Sequence, residues 1–186
     1  MNATNHGMQR SGGGAFPGEI NVVSRHPLIP TVTRLNPRSS QRMNSLQLQS
    51  ATRKRTRCSY WDFYVDGKRL ADTLDIGDFI PPIGWLGSDA ELHFLAMLLR
   101  KTPGDLPGNR TPIYVCAECA DYGCGVVSCV IERTDGGIVW RDFGTQTGDG
   151  EDICADDFDP TLAFTFDPTA YYGTLSGHYD LAKTGG

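Results

Sequence analysis

Four of the chain's six cysteines fall within residues 114–129, YVCAECADYGCGVVSC. Cys116 and Cys119 form a C-x2-C pair, and Cys124 and Cys129 each follow after four intervening residues. Such a pair can aim two thiolates at one point. With a third sulfur and a fourth ligand from elsewhere it suits tetrahedral zinc, at about 2.3 Å per Zn–S bond. Gly123 and Gly125 bracket Cys124 and let the backbone bend tightly around an ion. Cys116, Cys119 and Cys124 are therefore the candidate metal ligands, and zinc is the expected cofactor. Cys129 is a different case. It lies five residues beyond Cys124, so on a regular strand the two point to opposite faces. Without a bulge at Gly125 it shares a face with Val127 and Ile131 and reads as a small apolar core residue. Cys58, Cys154, His93 or a water are the candidates for the fourth ligand. Zinc knuckles favour Pro inside the pair and Gly after it, whereas this chain has Ala117, Glu118 and Ala120.

A dithiol is the other chemistry such a pair can do, with Cys116 attacking and Cys119 resolving. An efficient thiol oxidoreductase places its nucleophile at a helix N-terminus, where the dipole and free N–H groups lower the thiol pKa. Only Ala120, Asp121 and Tyr122 separate Cys119 from Gly123, which leaves no room for that helix. No Lys, Arg or His lies within 114–129. The third reading is that the cysteines are simply buried, and their crowding argues against it.

Other motifs carry less. The acidic run DGEDICADDFD fails the calcium-loop pattern, because positions 5 and 6 counted from Asp149 are Ile153 and Cys154. SGGG (11–14) lacks the flanking strand and helix of a phosphate loop. The four histidines, His6, His26, His93 and His178, suggest no pairing with a nucleophile, and there is no H-E-x-x-H. Hydrolase, kinase and dinucleotide signatures are absent, so no catalytic residue is assigned.

The elements that must position the cysteines read as follows. CSYWDFYVDG alternates Trp61, Phe63 and Val65 with Tyr60, Asp62 and Tyr64, which predicts a strand, and Asp66-Gly67 predicts a hairpin turn. FIPPIGWLG reads as a loop. Ser88 with Glu91 reads as a capping box opening a helix over 89–101, with Leu92, Leu95, Ala96 and Leu99 as its apolar stripe. Strands follow at IYVC and at 126–133, then a TDGG turn and a returning strand at IVWRDF. Residues 144–160 form an acidic loop, and LAFTF is a strand. Asp167-Pro168 opens a short helix over TAYYGTL. The fold class expected is α+β: a mainly antiparallel sheet with one longer and one short helix.

Charge divides the chain of 186 residues. Residues 1–57 hold nine Lys or Arg against one acid, and residues 58–186 hold eight against twenty-one. The first segment is rich in Ser, Asn, Gly, Pro and Arg and shows no sustained apolar period. It is read as a disordered basic extension, with Met43 as an alternative start. RKRTR (53–57) could serve as an arm for nucleic acid, but without interleaved aromatics a solvated linker is the better reading. Residues 58–175 are expected to form one α+β domain, with 176–186 a frayed tail. The domain's acidity disfavours nucleic acid as a partner, so the expected partner is another protein. No run reaches the roughly 20 apolar residues of a membrane helix. The first residues show no apolar signal-peptide core. The expected location is therefore cytoplasmic, where thiols stay reduced.

CSYWDFYVDG, then YVCAECADYGCG, then IVWRDFG resemble a family of small uncharacterised bacterial proteins over roughly residues 58–175. The resemblance carries a YVCxEC-x4-CG motif matching Cys116, Cys119 and Cys124. It implies that those three cysteines act as a unit. Some members bear a loose oxidoreductase label, and the resemblance implies no substrate, cofactor or partner. The residues themselves favour a non-enzymatic binding protein whose cysteine turn is pinned by zinc.

Overall fold

The computed structural model describes residues 42–146 and 152–184. They build two antiparallel sheets and three α-helices, as the α+β expectation requires. In chain order the strands of the first sheet are β1 (Leu46–Thr52), β2 (Ser59–Val65) and β3 (Lys68–Arg69), side by side in that order. Two helices follow, α1 (Leu70–Leu74) and α2 (Ser88–Leu98). The second sheet contains β4 (Thr111–Val115), β5 (Val126–Thr134), β6 (Gly137–Gln146) and β7 (Phe164–Phe166), again in sequence order. The last helix is α3 (Pro168–Thr184).

Consecutive strands that pair with their neighbours need only tight turns, and the turn chemistry is local. Asp66 (φ 52°) and Gly67 (φ 77°) are both left-handed, the signature of the two-residue hairpin turn expected there. The β5–β6 hairpin closes where Thr134 pairs with Gly137, at the TDGG turn. Gly137 has φ 140°, and a Cβ there would sit 2.4 Å from the Phe166 carbonyl oxygen, so β7 can pack only against a glycine.

Among the described residues, backbone hydrogen bonds join the two sheets at two places. Ile80 bridges β4 at Val115, while the Trp61 N–H donates to the Ile83 carbonyl at 2.9 Å, so the loop at 80–83 ties β2 to β4. Asn44 ties the start of β1 to β7, donating from its N–H to the Thr165 carbonyl at 2.7 Å. Between the sheets and helices lies a core centred on Phe63, Trp140, Phe166 and Tyr171, all buried and meeting edge to face or tilted. The Trp140 Nε1–H donates to the Tyr171 hydroxyl at 3.1 Å, and that hydroxyl donates to the Leu98 carbonyl at 2.8 Å. Indole and phenol thus enter the core with their polar atoms satisfied.

Several expectations are corrected here. The segment expected to be disordered through residue 57 contains β1, which pairs with the whole of β2 from Leu46↔Val65 to Thr52↔Ser59. Order therefore begins well before Cys58, because Leu46 reaches the core and Leu48 packs beside it while Gln47 and Gln49 face solvent. Residues 1–41 lie outside the described residues. The tail expected to fray from 176 is helical to Thr184. Tyr171, Tyr172, Leu175, Tyr179 and Ala182 recur at helical spacing against the core, and that packing outweighs the cost of Gly173 and Gly177. The start of α3 is as expected: the Asp167 carboxylate accepts the Ala170 N–H at 2.9 Å. The capping box at α2 does not form. Gly87 is the N-cap, Ser88 is already helical, and Glu91 accepts an N–H from Gly84 instead. α2 also ends sooner than residue 101, since Arg100 turns left-handed at φ 56°. The five-residue α1 was not anticipated.

Candidate metal centre

β4 ends at Val115, and the cysteine turn spans the gap to β5. Cys116 keeps one strand-like bond, donating its N–H to the Gly125 carbonyl at 3.3 Å, so the two ends of the turn are held together. The Ala120 N–H donates to the Cys116 carbonyl at 2.9 Å and closes the C-x2-C bend. Asp121 then receives the Gly123 N–H on its carboxylate at 2.8 Å and the Cys124 N–H on its carbonyl at 3.1 Å. These bonds fold Tyr122–Cys124 into one 3-10 turn. Gly125, at φ 134°, then redirects the chain into β5.

The result is that Cys116, Cys119 and Cys124 place their three sulfurs within 4.8 Å of one another. Tetrahedral Zn–S bonds of about 2.3 Å require sulfurs roughly 3.8 Å apart, so only a small contraction separates this arrangement from a metal-bound one. Cys116 is half-buried, Cys119 and Cys124 are exposed, and none of the six cysteines is in a disulfide. Backbone N–H groups, that of Glu118 foremost and that of Cys119 in support, hold the Cys116 thiol below its usual range against a smaller opposing effect of burial. Cys124 is the opposite: its hydrogen bond with Cys119 and the neighbouring sulfur charges push it up to about 11. Protons therefore leave the cluster stepwise, and a cation that accepts all three sulfurs must displace the last one.

Cys129 takes no part. It is completely buried with Val127 and Ile131 in the main core, as its strand position suggested, and burial drives its thiol pKa far up. The ladder between β5 and β6 does shift register between Ser128 and Val130, but the extra residue lies on β6, where Asp142 and Phe143 fall opposite Cys129, and there is none at Gly125. Among the described residues none of the proposed fourth ligands joins the cluster. Cys58 contacts the Ser59 carbonyl, Cys154 bridges to Thr145, and the His93 Nε2 sits 2.8 Å from Asp105.

One functional residue escaped sequence reasoning. Arg53, just past β1, is 7% exposed and reaches the turn across the fold. It donates to the Ala117 carbonyl at 3.3 Å and to the Glu118 carboxylate at 2.8 Å, and it pairs with Asp78. Those carboxylates raise its pKa further above an already high value. Arg55 adds a second contact to Glu118 at 3.5 Å. Glu118, which by sequence would crowd the thiolates with negative charge, is thus neutralised by two arginines from the turn that follows β1. From sequence the basic run at 53–57 reads as a linker because it lacks interleaved aromatics, and the partners that Arg53 finds on the turn lie 64 and 65 residues away. A cleft of about 230 Å³ opens between Arg53, Asp78, Cys116 and Cys124.

Ala120 departs from the knuckle pattern in type and not in shape. Its φ is 58°, the left-handed conformation that makes Gly the favoured residue there. Ala120→Gly should therefore stabilise the protein by about 0.5–1 kcal/mol, read as a higher urea midpoint at unchanged slope.

No helix among the described residues is long and apolar enough to cross a membrane. Compared with protein-family models, curated proteins and solved structures, the chain matches none.

Proposed function

We propose that Cys116, Cys119 and Cys124 bind zinc, and that the metal pins the turn of a non-enzymatic binding protein whose partner is another protein. The observation that supports this is the convergence of three sulfurs on one point, at a bend whose backbone already points N–H groups at Cys116. Thiolates are soft ligands, and zinc is the common cation that accepts three or four of them without redox chemistry. Such free thiols persist in a reducing compartment, consistent with a cytoplasmic protein. The excess of acidic residues beyond Cys58 disfavours nucleic acid and suits a partner with a basic surface.

The test is metal analysis of freshly purified protein with thiol counting before and after a chelator. Near one equivalent of zinc, and three thiols that become titratable only after chelation, is the expected result. Protein that refuses added zinc at micromolar concentration refutes it.

A second reading is favoured by the lowered Cys116 thiol alone. As a thiolate, Cys116 would attack a substrate disulfide and form a mixed disulfide with one sulfur while the other leaves as a thiolate. Cys119 would then displace the bound sulfur, leaving a Cys116–Cys119 disulfide and a reduced substrate. Metal-free protein with one rapidly alkylated cysteine supports that reading over zinc.

A further inference from the structure

The cysteine turn is not the largest concavity. A cleft of about 550 Å³, within the size range of small-molecule sites, opens where α2 ends, lined by Arg100, Lys101, Thr102, Asn109 and Thr111 among others. No carboxylate lines it, in a region where acids outnumber bases twenty-one to eight. Arg100 forms no ion pair among the described residues. Glu132, an acid that feels its charge, is already held by Arg141 at 2.8 Å. Lys101 is steadied from one side by the Tyr179 ring, 3.6 Å from its ammonium, and no carboxylate pairs with it. Asn109 spends its carbonyl oxygen on the Gly104 N–H at 2.7 Å, and its amide donor is in no hydrogen bond among the described residues.

The backbone under these donors is unusual in the same place. The Lys101 N–H bonds back to Ala96 at 2.8 Å and the Arg100 N–H to Met97 at 2.9 Å, a Schellman stop. The left-handed position of that motif is ordinarily glycine, yet here it carries the largest cation available, at φ 56°. Asn109, at φ 59°, is left-handed on the same cleft. Left-handed side-chain-bearing residues concentrate at ligand clamps, where the strain is tolerated for what the side chain does.

We propose that this cleft binds a small phosphorylated molecule, with Arg100 and Lys101 on the phosphate group and Asn109 and the threonine hydroxyls as neutral donors. Two cations match a dianion. A guanidinium fork and a point-like ammonium, together with hydroxyl donors, suit a tetrahedral group with three free oxygens better than a planar carboxylate. The volume exceeds that of phosphate itself and leaves room for an organic body. The net charge of the surrounding domain repels a polyanion such as nucleic acid. The site is independent of the metal reading.

The test is calorimetric titration of the full chain with adenosine monophosphate, inorganic phosphate, succinate and a short oligothymidylate, repeated on Arg100→Gly. The substitution removes the cation and at the same time relieves the left-handed backbone, so it keeps or raises the melting temperature. The expected result is saturable binding of adenosine monophosphate and phosphate, absent for succinate, and weakened at least ~10-fold in Arg100→Gly. Lys101→Gln, which leaves the Schellman stop alone, should weaken it by a similar factor. No heat from either phosphate at millimolar concentration overturns the proposal, as does equal binding by Arg100→Gly. Tighter binding of the oligothymidylate overturns it in favour of nucleic acid.

Discussion

Cys116→Ser should lower zinc affinity by more than the 10- to 100-fold that loss of an outer-shell partner typically costs, while Cys154→Ser leaves it unchanged. Cys116 is the least exposed of the three sulfurs and the one to which backbone N–H groups point. A serine hydroxyl at that position is a poor ligand for a soft site, and the N–H donors that favour a thiolate gain nothing from a neutral oxygen. Cys154 sits apart, bridged to Thr145, and serves as the control. Competition with a chromophoric chelator reads the affinity directly. Melting temperature gives an independent check, since zinc that binds only the folded chain raises it by mass action in the native protein and not in the variant. Equal losses from Cys116→Ser and Cys154→Ser would mean that the metal, if bound, is held elsewhere.

The largest effect on stability is expected from Trp140→Ala, at about 4 kcal/mol. Trp140 is fully buried, meets Phe63, Phe166 and Tyr171 with ring centroids 5.4, 5.6 and 6.2 Å away, and bonds the Tyr171 hydroxyl. The truncation leaves a cavity at the junction of both sheets and α3, and it removes the donor that the Tyr171 oxygen accepts. Against a typical total of about 5–15 kcal/mol, this brings the fold close to its limit. Urea unfolding at fixed zinc gives the number. A loss below about 1 kcal/mol would show that the core rearranges to fill the space. Trp85, half-buried at the edge of two small clusters, should cost far less when truncated, so the pair separates burial from aromatic character.

The cysteine turn and most of the sheet were legible because their determinants are local. Spacing of sulfurs, turn dipeptides, the alternation in β2 and the three-and-four spacing in α2 all act within a few residues. Even the exclusion of Cys129 followed from counting along one strand. What escaped depends on distant partners. Three of the seven residues of β1 are glutamine or serine, and it becomes a strand because β2 offers it a complete ladder. α3 extends through two glycines because an aromatic stripe finds the core. Asp62 alternates as a solvent-facing residue, yet it is fully buried, bonded to Arg69 at 2.6 Å and to the Tyr114 hydroxyl at 3.2 Å. Arg53 is the clearest instance, since nothing near it in the chain says that it will hold the cysteine turn.

The three sulfurs come from one short stretch between consecutive strands of a single hairpin. A cation there closes a loop that the strand pairing has already closed, so its arrival removes little further chain freedom. Loss of the ion should then be a regional melting, with faster amide exchange across 116–125 while β5 and β6 stay protected. News of an empty turn would have one protein-side route outward among the described residues' ionic contacts: through Glu118 to Arg53 and Arg55 in the turn after β1, and so to the opposite sheet.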